Sequence, residues 1–197
     1  MGRTNTVLLP FYKKHIKAID RTALLGFTNN NWFNGDLYDL QLGNWNINSD
    51  WHFDKKYDTI ISLRCPYFAK NPKDFVDRCM QATNPGAKLY LDWGLGDHWR
   101  FEKYKVGWVK DNEHEWAYSE DNFLWSTYWD RTLLSHDEVK KFEYFIGLKG
   151  YSNLSAAIHQ EVPSIFSLKD SDLDYRVYTK FFWENSPQLY ILLEINK

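Results

Sequence analysis

The sequence predicts an α/β domain in which helices cover a mostly parallel sheet. Three observations lead there. Two short apolar runs, Tyr57 to Leu63 and Ala87 to Leu91, flank a segment with helical spacing, which is the outline of a βαβ unit. An earlier apolar run, Thr22 to Phe27, reads as a buried strand and ends in Gly26 and the polar loop from Thr28 to Asn31. A last one, Gln188 to Ile195, suits a closing antiparallel strand. At 197 residues the chain matches one domain with a sizeable core. Neither a repeat nor a low-complexity linker marks a boundary within it.

The elements follow in order. Phe11, Tyr12, His15, Ile16 and Ile19 share one face of a short helix after Pro10, with Lys13, Lys14 and Lys17 opposite. In the βαβ unit, Asn71 caps a helix, Pro72 fits its first position and Asp74 lies in the first turn, where a negative charge meets the positive end of the dipole. Phe75, Val76, Cys79 and Met80 fall on its buried face; Asn84, Pro85 and Gly86 stop it and turn the chain into the next strand. Alternating rings between Lys103 and Trp129 predict a hairpin turning at Asp111 and Asn112. Ser135 and Glu138 form a capping box for a helix with Val139, Phe142, Phe145 and Ile146 on one face, ended by Gly150. Leu154 to Glu161 predicts a further helix stopped by Pro163, and Leu173, Val177 and Phe181 suggest another over Ser171 to Trp183.

Composition narrows the function classes. A formal net charge of −2 gives no global field for nucleic acid. Cys65 and Cys79 are too few for a disulfide framework and lack the companions of a zinc motif, so a reducing cytoplasm is expected. His15, His52, His98, His114, His136 and His159 are scattered without ligand spacing. No apolar run has membrane-spanning length, and the first residues are too short for a signal peptide. Aromatic residues make up 18%, although mean hydropathy is −0.59, so rings must sit beside polar neighbours. Six of the ten tryptophans lie between Trp93 and Trp129. Residues 93–131 therefore read as an aromatic-rich insertion, either a lid or substrate platform or a satellite hydrophobic cluster.

Ligands of parallel sheets collect beyond the carboxyl ends of the strands. After Leu63 the chain reads Arg64, Cys65, Pro66, Tyr67, Phe68, where Tyr67 or Phe68 is expected to wall a pocket. After Leu91 it reads Asp92, Trp93, Gly94, Leu95, Gly96, Asp97, His98, Trp99. His98 can take a proton from an acceptor, with Asp92 or Asp97 orienting it. Alternatively Asp97 caps a helix and His98 packs between Trp93 and Trp99.

Residues 57–93 also carry a family resemblance. Y-D-T-I-I-S, a loop, a capped helix and N-P-G-A-K-L-Y-L resemble the fourth strand, following helix and fifth strand of class I S-adenosylmethionine-dependent methyltransferases, including bacteriophage-encoded ones. The resemblance implies a Rossmann-like three-layer sandwich closed by a C-terminal antiparallel strand, with S-adenosylmethionine as cofactor and a small-molecule or nucleobase acceptor. On it, Gly26 ends the cofactor-binding first strand and Arg64 lies beside the cofactor. G-D-L-Y-D-L, residues 35–40, is similar to the family's acidic loop beside the adenine. Asp36 or Asp39 would then accept the adenine amino hydrogen while Leu37 or Leu40 packs on the ring; the other reading is a solvated turn. Pro66 and Tyr67 resemble the second half of a D/N-P-P-Y/F motif, whose first half is missing. Catalytic roles fall to His98, Asp92 and Tyr67, and acceptor contacts to Pro66, Phe68, Trp93, Asp97 and Trp99. Two departures stand out. The loop after Gly26 has no carboxylate, and the residues between Phe27 and Asp36 are too few for both the helix and the acid-ended second strand that the family inserts. The first half is therefore expected to be truncated. A fold that kept its sheet and lost its cofactor, or a nucleotide or sugar transferase on a similar sheet, are the alternatives.

Overall fold

The computed structural model describes residues 8–95, 163, 166–184 and 186–197. The chain divides into two compact units, one of residues 1–93, 172–179 and 191–197, the other of residues 94–171 and 180–190. The hairpin over 103–129 and the helices over 135–150 and 154–161 lie outside the described residues.

A six-stranded sheet is built from β1 (Thr22–Leu25), β2 (Asp36–Tyr38), β3 (Tyr57–Ser62), β4 (Thr83–Leu95), β5 (Asp174–Glu184) and β6 (Ser186–Asn196), in the order β2-β1-β3-β4-β6-β5. The first four run parallel, with Leu24 between Leu37 and Ile61, and Ile61 beside Tyr90. The Lys197 N–H donates to the Ala87 carbonyl at 3.0 Å, and Lys88 meets Glu194, so β6 runs antiparallel to β4. The α/β class and the closing antiparallel strand are as the sequence predicts.

Helix α1 (Leu9–His15) and helix α2 (Pro72–Gln81) cover the sheet. On β4, side chains alternate, and Lys88, Tyr90 and Asp92 share one face. That face carries α1: Tyr12 bonds Asp92, the Lys17 N–H donates to Tyr90 Oη, and the Ile19 N–H donates to Thr59 Oγ1. α2 forms with the sequence's own punctuation. Asn71 Oδ1 accepts the N–H groups of Lys73 and Asp74, Pro72 opens the helix, and Phe75, Val76 and Cys79 are buried. Ile60, Ile61, Leu89, Tyr90 and Leu91 are fully buried, as central parallel strands with both faces covered require.

Three expectations change. Residues 27–35 hold neither a helix nor a strand, as their small number predicts, but residues 36–38, expected in an acidic loop, form the short strand β2. Residues 171–183 form no helix but most of β5, where Tyr175, Val177, Tyr178 and Thr179 favour an extended backbone. Asn84, Pro85 and Gly86 are no free turn before the strand. They make an irregularity inside β4, where the register against β3 jumps from Tyr57↔Thr83 to Thr59↔Lys88 and Gly86 takes a φ of 78°.

β2 is an edge strand, and a side chain closes it. Asn44 Nδ2 donates to the Leu37 carbonyl at 2.8 Å while Asn44 Oδ1 accepts the Asp39 N–H at 3.0 Å. A single residue of a parallel neighbour would bond these same two backbone groups. The segment between that amide and β3 is held by rings instead of a strand: Trp51 packs on Trp45, Phe53 and Phe75, and Phe53 on Tyr38 and Tyr57.

Candidate functional site

The chain leaves β1 toward β2 on one side and returns on the other as β3, so the strand order reverses between β1 and β3. The crevice beyond the carboxyl ends at such a switch point is where open α/β sheets bind ligands. Four residues end the parallel strands there: Gly26 after β1, Asp39 after β2, Arg64 after β3 and Asp92 in β4.

Gly26 takes a φ of 81° and its N–H donates to the Tyr38 carbonyl at 2.7 Å. A Cβ on it would stand 2.6 Å from Cys65 Cβ and 2.7 Å from Cys65 Sγ. The glycine thus lets the β1 and β3 exits pack against each other, and Cys65, buried there, fills the space beside its Cα. Cys79, the other free thiol, is wholly buried, which pushes its pKa up and leaves it inert.

Asp39 lies one residue past β2 and caps a short 3-10 turn, Leu40–Leu42. Its Oδ1 accepts the Gln41 N–H at 2.7 Å, and its Oδ2 takes no hydrogen bond from the described residues. The turn holds Leu40 69% and Leu42 45% exposed, large apolar side chains presented beside an available carboxylate oxygen. Asp36, at the other end of β2, is already engaged. Tyr57 Oη donates to it at 2.8 Å and Lys55 lies 2.7 Å away, which holds its carboxyl below the usual range. Of the two aspartates in residues 35–40, only Asp39 reaches the carboxyl ends of the strands with an oxygen to offer.

Arg64 follows with a φ of 58°, a left-handed conformation that costs a residue with a Cβ roughly 1–3 kcal/mol. Asp92 is 1% exposed. One of its oxygens accepts the Arg64 N–H and the other the Tyr12 hydroxyl. It is therefore a buried acceptor between α1, β3 and β4. Tyr12 went unnoticed as a site residue because its spacing on an amphipathic helix marks it as core, which it also is.

The other predicted residues are placed as follows. Pro66, Tyr67 and Phe68 form a 3-10 turn immediately after Cys65, with Pro66 buried and the Phe68 carbonyl accepting Asn48 Nδ2 at 2.9 Å. Trp93 follows Asp92 in β4. Asp97, His98 and Trp99 lie outside the described residues. A cavity of about 470 Å³ lies at the opposite end of the sheet, lined by Trp51, Phe53, Lys55, Lys56 and Arg78 among others. It sits by the end of α2 and the start of β3, away from the strand exits. Among the described residues, no cluster of His, Cys, Asp and Glu could hold a metal ion, and no helix is long and apolar enough to cross a membrane.

Geometry and topology thus define an α/β protein with a mostly parallel sheet whose strand order reverses between β1 and β3. No protein-family model and no curated protein matches the sequence. Several solved structures resemble the fold. A SAM-dependent methyltransferase from Thermotoga maritima aligns over 96% of this chain and 86% of its own, with a TM-score of 0.46 and 8% identity. The plantazolicin methyltransferase BpumL, solved in complex with SAH, aligns over 96% and 71% with a TM-score of 0.37 and 13% identity. Coclaurine N-methyltransferase, bound to N-methylheliamine and SAH, aligns over 96% and 72% with a TM-score of 0.41 and 11% identity.

Proposed function

We propose that this chain is a methyltransferase that binds S-adenosylmethionine beyond the carboxyl ends of β1 to β4 and acts on a small-molecule or nucleobase acceptor. The observation that carries the reading is Asp39 with Leu40: an available carboxylate oxygen and an exposed apolar side chain at the exit of the strand beside the switch point. This donor set fits a nucleoside. Asp39 accepts hydrogen bonds from the nucleoside, either from the adenine amino group or from the ribose hydroxyls, the station the resembled family gives to the acid ending its second strand. Leu40 covers one face of the base, and Arg64 offers a cation to the methionyl carboxylate. When bound, the cofactor supplies an electrophilic methyl group open to in-line displacement. The chain's own work is then positioning, and removal of a proton where the acceptor carries one. Tyr67 and His98 are the groups proposed for that step, with Pro66, Phe68, Trp93, Asp97 and Trp99 around the acceptor.

Calorimetry with S-adenosylmethionine and with its demethylated product tests the reading. Binding of either supports it, and Asp39→Ala should weaken affinity at least about tenfold, the usual loss for a hydrogen bond to a charged group. Absence of heat with either ligand at millimolar concentration sinks it. One observation favours a second reading, a binding module without turnover: Cys65 closes the space beside Gly26, where the loop also lacks a carboxylate. That protein would bind an adenosyl ligand weakly or not at all and methylate nothing.

A further inference from the structure

We infer that Tyr12 and Asp92 are positioning residues that hold the Arg64 turn in its left-handed conformation, so that the seating of α1 is a condition for the site at the exit of β3. The part concerning ligand affinity rests on the reading of Arg64 as a cofactor-binding residue.

Arg64 is one of only two residues other than glycine with positive φ among the described residues, and it stands directly beyond the switch-point strand. Strain of this kind persists where surrounding contacts over-determine it. The contact at hand is Asp92. The Arg64 N–H and the Tyr12 hydroxyl both donate to its carboxyl oxygens. The first bond fixes the peptide plane entering Arg64. The second fixes the carboxylate itself from α1, 80 residues away in sequence. Both Tyr12 and Asp92 are almost wholly buried, at 0% and 1% exposure, so neither bond competes with solvent. An acid that served only to stabilise β4 would need no partner at the strained residue. Here one side chain ties a helix to the single left-handed residue at the strand exits that bears a cationic side chain.

The test uses Tyr12→Phe, which keeps the buried ring and removes only the hydroxyl. Amide hydrogen exchange without ligand is read first. Exchange at Arg64 is expected to speed up about tenfold in Tyr12→Phe while amides in the middle of β3 keep their rates; unchanged exchange at Arg64 overturns the inference whatever the protein binds. Affinity for the demethylated product is read second. Tyr12→Phe should weaken it about tenfold, and the same substitution should change it less than about twofold in an Arg64→Gly background, because glycine gains nothing from being held. An equal loss in both backgrounds would mean that Tyr12 acts on the fold and not through Arg64, and overturns the inference. Normal binding by neither variant nor wild type would count against the cofactor reading, while the exchange result would still decide the role of Tyr12.

Discussion

At Gly26, local conformation and packing make the same demand. The residue holds a φ of 81°, and Cys65 stands where a side chain would go. Gly26→Ala should therefore cost about 2–4 kcal/mol in urea unfolding, from left-handed backbone strain and overpacking together. Cys65→Ala should not rescue it, because the nearest atom is Cys65 Cβ, whereas Cys65→Gly should recover part of the loss. The glycine itself was legible in the sequence as the end of a strand; its neighbour was not, since nothing in a linear chain says that Cys65 folds back over it. Asp39 and Asp92 divide in the same way. Asp39 stood out as a carboxylate beside apolar residues, but its station depended on whether β2 existed. Asp92 was visible at a strand end, yet the burial that makes it a tie comes from Tyr12 on a helix distant in sequence.

Local signals specify α2 and long-range pairing specifies β2 and β5. The bonds from Asn71 Oδ1 to the Lys73 and Asp74 N–H groups are what a capping asparagine before proline predicts. Asn71→Ala should lower stability by about 1 kcal/mol, measurable as a shift in thermal midpoint, with little effect on ligand binding. β2 was missed because three residues carry no periodicity; β1 alone, through Ala23, Leu24 and Leu25, draws them into the sheet. In residues 171–183 the spacing of Leu173, Val177 and Phe181 imitates a helix, yet the same run is rich in rings and β-branched residues. Placement at the sheet edge beside β6 decides between the two.

Across the whole molecule, one ion pair joins the parallel part of the sheet to its antiparallel closure. Lys88 of β4 lies 2.8 Å from Glu194 of β6, and Tyr178 of β5 donates to the other carboxylate oxygen at 2.9 Å. Burial alone would raise the pKa of Glu194, but Lys88 and Tyr178 hold it below the ordinary 4.5, while Glu194 holds Lys88 above 10.5. A depressed carboxylate stabilises the fold above its ordinary value and loses that contribution as pH falls through the lowered one. A raised lysine contributes fully below 10.5 and loses its share as pH climbs beyond. The pair should therefore support a stability plateau from about pH 5 to pH 10 that falls at both ends. Glu194→Gln should lower the plateau by roughly 2 kcal/mol and flatten its acid limb in urea titrations; the figure is below that of a fully buried pair because Lys88 is 35% exposed. At the opposite border of the sheet the boundary is drawn by an amide. With Asn44 occupying the Leu37 carbonyl and the Asp39 N–H, a foreign strand finds those two groups taken. Asn44→Ala should expose them and produce concentration-dependent self-association, visible by light scattering. The width of this sheet is then a property written into one carboxamide, and the protein's resistance to growing into a larger assembly along that border rests on it.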